Sequence, residues 1–242
     1  MSDAPLTVVV PVYNERENFR AWWQQARDHL PPGAVVRVVY DRDDDDTLPV
    51  IAELAAQGAP VEALRNGGKG VFGALRTGLE SVAAGPVLVS MADLCDDLSL
   101  IPRMLDEYAR GAAVVVASRY MPGGRQLGGP WLKGRLARWG ARALHDVAGF
   151  PVHDASNSFR LYDAGFVRSL ALGPGEGFEI GMRITLEAWM AGQRVVEIPC
   201  TWRERSRGES RFRLAKWLPL YGQLWARGMV FGLRNRGSAP RG

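Results

Sequence analysis

The chain has 242 residues, 47% of them hydrophobic and 23% charged, which excludes a wholly disordered protein and allows one globular unit with a substantial core. Thirty Lys and Arg against 26 Asp and Glu leave a net charge of +4, a mild excess that suits anionic ligands or lipid headgroups and does not indicate nucleic-acid binding. Cys95 and Cys200 are too few for a disulfide scaffold, and no secretory signal pattern opens the sequence. A reduced, cytoplasmic protein is therefore expected.

Strand and helix patterns alternate through the first half of the chain. A β-rich run over 6–12, apolar residues at helical spacing between Phe19 and Leu30, and a second β-rich run over 35–40 predict a βαβ unit. The same patterns predict further helices over 48–56, about 70–83 and 101–108, and further strands over 61–64, 86–91 and 112–117. We therefore predict an α/β protein with a central sheet and flanking helices.

Beyond residue 120 the alternation loosens. Glycine pairs, a basic helical stretch over 132–147 and a polar segment over 154–160 predict active-site loops and an acceptor-side helix. A helix near 181–191 and a strand over 195–202 then return to the sheet. We expect residues 1–213 to form one domain and residues 214–242 to form a distinct C-terminal segment.

Polar side chains follow the first two strands, at the edge of an open α/β sheet where ligands usually bind. Pro11, Tyr13 and Glu15 come directly after the first β-rich run, and Asp41 follows the second. An aromatic face and carboxylates in these positions can stack on a nucleoside and hydrogen-bond it. The alternative is a turn in which Asn14 caps the next helix and Glu15 interacts with its dipole, and both interpretations can hold together.

A glycine-rich turn over 66–70 precedes a predicted helix. Glycines permit the close approach of a ligand and a helix start favours an anion, so the backbone amides and Lys69 are candidates to bind a diphosphate. The turn lacks the Walker pattern. The alternative is a tight turn with a solvated lysine.

Seven short motifs follow one another at the loops of the predicted sheet. They are PVYNE at 11–15, the aspartate-rich loop at 41–47, NGGKG at 66–70, ADL at 92–94, SRY at 118–120, DASNSFR at 154–160 and RSRGESRF at 205–212. Together they resemble glycosyltransferase family 2, and within it the dolichyl-phosphate mannosyltransferase-like enzymes, over roughly residues 6–213. The resemblance implies a GT-A fold and inverting transfer of a sugar from a nucleotide-sugar donor, GDP-mannose or a UDP-hexose, to a polyprenyl phosphate.

The resemblance also assigns roles to individual residues. The donor would be bound by residues after the first two strands, namely Pro11, Tyr13, Glu15, Asp41 and Asp45. Asp154 is expected to orient the donor sugar or the acceptor, with Ser158 replacing a glycine of the family pattern, and Glu179 is expected to contact the sugar.

The metal-binding motif departs from the family pattern. The family typically has Asp-x-Asp, often followed by x-Gln, where alternate side chains bind a divalent cation that bridges the donor phosphates. Here Met91, Asp93 and Cys95 take those positions, and sulfur ligands suit Mg²⁺ or Mn²⁺ poorly. Asp93 is then the one matching oxygen ligand, and Asp96 or Asp97 would have to reach back to complete the site. Weaker metal binding, an altered donor and a catalytically degenerate nucleotide-binding homologue are left open.

Arginines are the expected partners of the phosphates, because a guanidinium can bind phosphate bidentately. An acceptor phosphate is already anionic near neutral pH, so transfer needs alignment and charge stabilisation more than a general base. A catalytic histidine is therefore unnecessary, which agrees with three histidines that form no cluster in the sequence. The expected catalytic residues are Asp93, Arg119, Arg205 and Arg211, with Arg160 and Ser210 on the acceptor side. The alternative for the 205–211 segment is a flexible basic surface loop.

The C-terminal segment is predicted to form an amphipathic helix with a basic stripe at Lys216, Gln223, Arg227 and Arg234. Its charges and a proline near its start argue against a membrane-spanning helix, whereas Trp217, Tyr221 and Trp225 suit a membrane interface. A helix packed on the sheet, or at a homodimer contact, is the alternative. The expected partners are thus a nucleotide sugar, a polyprenyl phosphate and the inner membrane face, and no nucleic acid is expected. The alternative function is that of a soluble family member that glycosylates another acceptor.

Overall fold

A central sheet of seven strands organises the chain. The computed structural model describes residues 4–128, 131–204 and 214–235. It describes the side chains of these residues except those at 131–137 and 214–217. The strands are β1 (Thr7–Val12), β2 (Val35–Tyr40), β3 (Val61–Arg65), β4 (Pro86–Val89), β5 (Val114–Ser118), β6 (Arg125–Leu127), β7 (Arg160–Asp163), β8 (Val195–Pro199) and β9 (Thr201–Arg203). The helices are α1 (Arg16–Ala26), α2 (Leu48–Ala56), α3 (Gly70–Glu80), α4 (Ile101–Ala109), α5 (Trp131–Ala148), α6 (Ala164–Ser169), α7 (Glu179–Met190) and α8 (Leu214–Asn235).

The strand order in the sheet is β3-β2-β1-β4-β7-β5-β8. β7 runs antiparallel to β4 and β5, and the other neighbouring strands are parallel. β6 and β9 pair separately as a short ribbon. Because β2, β1 and β4 are parallel neighbours, their carboxyl ends open on one edge, and the loops that follow them meet there.

The sheet separates two apolar layers. Val8 and Val10 face the layer that includes α1, α2 and α4, whereas Val9 faces the layer that includes α3, α5 and α7. Burial on both faces explains the unbroken β-branched run in β1. Gly78 of α3 lies so close to this strand that a Cβ atom there would come within 2.2 Å of Val9 Cγ1. The absence of a side chain at Gly78 therefore lets α3 pack directly on the sheet.

The predicted elements before residue 120 are confirmed, with one difference that affects the site. The fourth strand ends at Val89, two residues before the predicted end. β7 is not predicted by the sequence, because its first residue, Arg160, is assigned to the polar loop over 154–160 and only three residues of the strand follow it. The predicted strand over 195–202 is divided at Cys200 into β8 and β9.

The C-terminal helix α8 packs on the body of the protein, against α5 and α7. Gly232 approaches α5 so closely that a Cβ atom there would come within 2.0 Å of the Ala148 carbonyl oxygen. Leu224 is buried, Tyr221 and Trp225 pack against the core, and the Trp225 indole donates to a carbonyl of α5 at 2.8 Å. This arrangement matches the packing alternative and contradicts a membrane-facing position for Tyr221 and Trp225. Within the described part of the chain, no helix is long and apolar enough to cross a membrane.

Candidate active site

A buried carboxylate ties together the loops after β1 and β2. Asp45 is 4% exposed and accepts hydrogen bonds from the backbone N–H of Asn14 at 3.0 Å and of Thr47 at 2.9 Å. The Thr47 hydroxyl accepts from the Glu15 N–H at 3.0 Å. The predicted donor contact of Asp45 is therefore not supported by its position, because both carboxylate oxygens point inward and fix the path of the first loop.

The other residues predicted to bind the nucleoside line this edge of the sheet. Tyr13 is 39% exposed and offers its ring for stacking, whereas Pro11 is buried within β1. Asp41 is half-buried and accepts a hydrogen bond from Asn66 Nδ2. Glu15 accepts from an asparagine of α1 at 2.6 Å. Tyr13 and Asp41 are thus the side chains best placed to meet a base and a ribose.

Asn66 orders the glycine-rich turn before α3. Its Oδ1 accepts from the Gly68 N–H at 2.8 Å and from the Thr77 hydroxyl at 3.2 Å, and its Nδ2 donates to the Gly70 carbonyl at 3.2 Å. Lys69 is exposed at the start of α3. The turn is therefore fixed before any ligand arrives, with a cationic side chain at the positive end of a helix dipole.

The loop after β4 does not continue the alternation of a strand. β4 ends at Val89, and Leu94 takes a left-handed backbone conformation with φ of 62°. Met91, Asp93 and Cys95 consequently do not form the one-sided row that the sequence predicts. Cys95 is 3% exposed, and its N–H donates to Asp93 Oδ1 at 3.2 Å. Burial removes the Cys95 thiol from the set of metal ligands.

Asp96 turns inward beneath this loop. Its Oδ2 accepts from the Ser90 hydroxyl and from the Met91 N–H, each at 3.0 Å, and the Ser90 hydroxyl oxygen accepts from the Trp22 indole at 3.1 Å. Burial, and after it the nearby charge of Asp93, raises the pKa of Asp96 well above its ordinary value. Asp96 holds the backbone at Met91 and does not reach out toward a metal as predicted.

Asp93 is the carboxylate that matches a metal ligand. Among the described residues no group of three or more His, Cys, Asp or Glu side chains could hold an ion. Asp97 accepts from a serine hydroxyl at 2.5 Å, and Asp43 and Asp44 are ion-paired with arginines. Proteins often bind Mg²⁺ through one or two carboxylates together with substrate phosphates. The donor set therefore fits a single-carboxylate arrangement and does not reproduce the Asp-x-Asp pattern.

A buried ion pair joins the end of β5 to the loop before β7. Arg119 donates to Asp154 through Nε at 2.6 Å and Nη2 at 2.9 Å, and Nη2 also donates to the Ser156 hydroxyl at 2.7 Å. Burial alone would raise the pKa of Asp154, but the charge and hydrogen bonds of Arg119 hold it at about 2. The Arg119 side chain keeps 12% of its surface exposed. The ion pair thus fixes the position of the Arg119 guanidinium at this edge of the sheet.

Arg160 lies in the core and not at a phosphate. It has no exposed surface, and its nitrogens donate to the carbonyls of Asn157 at 2.7 Å, Gly181 at 2.6 Å and Asp154 at 3.1 Å, and to the Thr185 hydroxyl at 2.5 Å. These bonds attach the 154–157 loop to α7. The expected acceptor-side contact of Arg160 is contradicted by this burial, and the residue instead positions the loop that carries Asp154.

Glu179, at the start of α7, is also internal. It has no exposed surface, and its two oxygens accept from the N–H groups of Glu176 and Gly177, each at 2.8 Å. Its charge also complements the positive end of the α7 dipole. The predicted sugar contact of Glu179 is not supported by this geometry, because both oxygens close the turn before the helix.

Two of the three histidines meet in the structure. The ring centroids of His145 and His153 are 3.8 Å apart, His153 Nδ1 contacts Glu197, and His145 Nδ1 bonds the Phe150 carbonyl oxygen at 2.7 Å. The expectation that the histidines form no cluster is wrong for this pair. The contact spans the turn between α5 and the Asp154 loop, which no local sequence pattern reveals.

A cationic cluster that the sequence does not predict adjoins Arg119. The guanidinium carbons of Arg119 and Arg138 each lie 4.8 Å from the centroid of the Tyr120 ring, and Arg119 lies 5.9 Å from that of Trp202. Asp154 neutralises Arg119, and Arg138 adds a second positive charge from α5. The cluster is suited to an anion.

Arg205, Ser210 and Arg211 lie outside the described residues, so their roles stay predictions. The chain enters that segment from β9, where the Arg203 N–H donates to the Cys95 carbonyl at 3.4 Å. Arg203 therefore lies beside the loop that carries Asp93.

The sequence profile of Glycosyl transferase family 2 matches residues 7–170. The chain belongs to this family. The undecaprenyl-phosphate mannosyltransferase of Micrococcus luteus is 32% identical over 213 residues, which are 84% of this chain and 85% of that protein. The dolichol-phosphate mannosyltransferase of Pyrococcus furiosus is 28% identical over 215 residues, 86% of this chain but 59% of that protein. The expected family is thereby confirmed, and with it a glycosyltransferase.

The fold also has a solved counterpart. The chain is similar to glucosyl-3-phosphoglycerate synthase from Mycobacterium tuberculosis, crystallised with Mn²⁺, UDP and glucosyl-3-phosphoglycerate, with a TM-score of 0.63 at 14% identity. The match covers 99% of this chain and 82% of that one. This likeness confirms the predicted GT-A architecture of the family 2 enzyme described here.

Proposed function

We propose that this family 2 enzyme transfers a hexose from a nucleotide sugar to a polyprenyl phosphate with inversion at the sugar. The observation that carries the proposal is the pair of guanidinium groups around Tyr120, at 4.8 Å each. We expect these two groups to bind the phosphate of the acceptor. The two mannosyltransferase relatives, whose names specify polyprenyl-type phosphate acceptors, support an acceptor of that kind.

The nucleotide sugar binds across the carboxyl ends of β1 to β4. Tyr13 stacks on the base, Asp41 hydrogen-bonds the ribose, and the 66–70 turn with Lys69 receives the diphosphate. GDP-mannose and UDP-glucose are the donors to test, since the relatives are mannosyltransferases and the structural neighbour holds UDP.

Asp93 would hold a divalent cation, Mg²⁺ or Mn²⁺, which supplies charge neutralisation for the departing nucleoside diphosphate. The Mn²⁺ in the structural neighbour supports this role. Asp96 keeps the loop in shape by bonding Ser90 and the Met91 N–H, each at 3.0 Å.

The acceptor phosphate is held by Arg119 and Arg138, joined by Arg205, Ser210 and Arg211 from the basic segment. A phosphate oxygen attacks the anomeric carbon as the bond from that carbon to the diphosphate oxygen breaks. The oxygen is already anionic, so no side chain needs to remove a proton. The task of these residues is to align the acceptor and to stabilise its charge.

The outer faces of α5 and α8 supply a surface for the membrane that contains such an acceptor. Trp139 is 70% exposed, and Leu218, Val230 and Leu233 are each about half exposed. Apolar side chains beside Arg138 suit the headgroup region of an anionic leaflet at the inner membrane face. A homodimer through the same surface is the competing arrangement. Trp139→Ser distinguishes the two, since a membrane surface would lose liposome binding in co-sedimentation, whereas a dimer surface would lose self-association in sedimentation velocity.

The test is a transfer assay with purified protein, GDP-mannose or UDP-glucose, Mg²⁺ or Mn²⁺, and undecaprenyl phosphate in detergent, with the glycolipid detected by mass spectrometry. We expect one donor to give a prenyl-linked hexose. A short soluble prenyl phosphate serves as a membrane-independent acceptor. Donor turnover with a non-lipid acceptor and none with either prenyl phosphate would refute the acceptor class, and no binding of either nucleotide would indicate a degenerate homologue.

A further inference from the structure

Tyr120 contacts both arginines of the proposed acceptor site. The guanidinium carbons of Arg119 and Arg138 each lie 4.8 Å from the centroid of its ring. The two carbons are therefore no more than twice that distance apart, although Arg119 follows β5 and Arg138 belongs to α5. One aromatic ring thus brings together cations from two separate elements.

The two arginines are held by different interactions. Arg119 donates to the buried Asp154 carboxylate at 2.6 and 2.9 Å, so its guanidinium is fixed without help from the ring. Arg138 is exposed on α5, and an exposed arginine side chain loses considerable rotamer entropy when it is held in one conformation. The contact with Tyr120 favours the conformation that places the charge of Arg138 beside Arg119.

The ring of Tyr120, more than its hydroxyl, is suited to hold a guanidinium. The face of an aromatic ring is electron-rich and attracts a cation that lies over it. The Tyr120 hydroxyl lies 3.4 Å from Gln126 Oε1, which is long for a hydrogen bond between two oxygens. Phenylalanine should therefore replace Tyr120 without loss of this effect, whereas leucine should not.

We propose that Tyr120 is a positioning residue for the acceptor phosphate, whose ring holds Arg138 next to Arg119 before the acceptor binds. This inference rests on the function proposed above. The phosphate then meets a guanidinium that has already lost part of its rotational freedom, and such preorganisation raises affinity without a new contact. Tyr120 acts through Arg138 and need not touch the substrate.

The test replaces Tyr120 by phenylalanine, by its mono-, di- and trifluorinated forms, and by leucine. Fluorine withdraws electrons from the ring face and changes the size of the ring little, so the attraction for a cation weakens in steps. Calorimetry with farnesyl phosphate, a short soluble prenyl phosphate, measures acceptor binding to the full chain, and the transfer assay gives the KM of each substrate.

We expect Tyr120→Phe to bind farnesyl phosphate as the wild type does. The Kd should rise with each added fluorine and be about two- to fivefold higher in Tyr120→Leu, while the KM for the nucleotide sugar stays constant. In an Arg138→Gln background the same series should show no trend, because the side chain through which the ring acts is gone.

Phe72 supplies a matched control. The Arg183 guanidinium carbon lies 5.7 Å from the centroid of the Phe72 ring, in the contact between α3 and α7. The same fluorinated residues at Phe72 should leave the Kd of farnesyl phosphate unchanged. An equal rise in the two series would show a general effect of fluorine and would overturn the inference.

The other outcomes separate the inference from the proposed function. A farnesyl phosphate Kd that stays constant from phenylalanine to its trifluorinated form would overturn the inference and leave the proposed function intact. So would a trend that persists in Arg138→Gln, or a rise confined to the KM of the nucleotide sugar. If the wild-type protein neither binds farnesyl phosphate nor transfers a sugar to prenyl phosphates, the proposed function fails and the inference fails with it.

Discussion

Asp96, which is partly buried, and Asp154, which has no exposed surface, lie in two loops of one site, and their surroundings shift their pKa values in opposite directions. Asp154 faces Arg119 at 2.6 Å, and its pKa is held at about 2 although burial opposes ionisation. Asp96 is partly buried near Asp93, and its pKa is raised. Burial is common to both carboxylates, so the sign of the neighbouring charge decides the outcome.

The contrast divides the candidate site into two halves. The loop after β4 carries negative charge that a cation would relieve, whereas at the end of β5 Asp154 balances the charge of Arg119 and Arg138 adds a positive charge that an anion would balance. A nucleotide sugar with a divalent cation suits the first half, and a phosphate acceptor suits the second.

The largest effect is expected from Arg119→Ala. Removal of the guanidinium leaves the fully buried Asp154 carboxylate without its charge partner, and breaking a buried pair in this way costs about 3–5 kcal/mol of unfolding free energy. Urea denaturation would measure it. Arg20→Ala is the matched control, since its ion pair with Glu53 is exposed and its loss should leave stability nearly unchanged. Equal stability of the two variants would show that Asp154 is satisfied without Arg119.

Asp93→Asn should be next in size. The variant keeps the side-chain shape but removes the single matching carboxylate, so we expect roughly a hundredfold weaker Mn²⁺ binding in the presence of nucleotide and loss of metal-dependent transfer. Calorimetry measures the binding directly. Undiminished Mn²⁺ binding by Asp93→Asn would show that Asp93, in the loop after β4, does not bind the cation.

The two carboxylates also predict opposite pH responses. The raised pKa of Asp96 means that its contribution to stability is present below the unfolded-state value near 3.8 and is lost as the pH rises through the folded-state value. With EDTA present to remove metal ions, Asp96→Asn should therefore become more stable relative to wild type as the pH rises from about 4 to about 8. Each unit by which the pKa of Asp96 is raised corresponds to ~1.4 kcal/mol of unfolding free energy. For Asp154 the contribution is present above 3.8 and is lost as the pH falls through about 2.

Thermal unfolding of Asp96→Asn across this pH range decides the matter. If the stability difference from wild type stays constant between pH 4 and pH 8, then the pKa of Asp96 is not raised in the folded protein. The proposed contrast between the surroundings of Asp96 and Asp154 would then be wrong.

The sequence predicts the donor half of the molecule better than the acceptor half, for a physical reason. The βαβ order, the 66–70 turn and Asp93 follow from local patterns, because each loop comes directly after its own strand. Arg138 and the His145–His153 contact depend on how α5 returns to the sheet. Arg160 and Asp45 show why a motif alone is not enough. A motif identifies a polar residue but does not reveal whether its side chain faces the ligand or the interior of the protein.

The smallest expected effect concerns the second charge of the basic half. Arg138→Gln removes a guanidinium that lies over Tyr120 at 4.8 Å. An exposed ion pair of this side chain with the acceptor phosphate is worth ~0.2–1 kcal/mol, so the KM for prenyl phosphate should rise by up to about fivefold. Arg142→Gln is the matched control on the same helix, where the arginine pairs with Asp146 at 3.2 Å. The KM for the nucleotide sugar should stay constant in both variants. Equal acceptor KM values in the two variants would show that Arg138 does not bind the acceptor phosphate. A change in the donor KM of Arg138→Gln would mean that the loop after β4 and the end of β5 do not bind separate substrates.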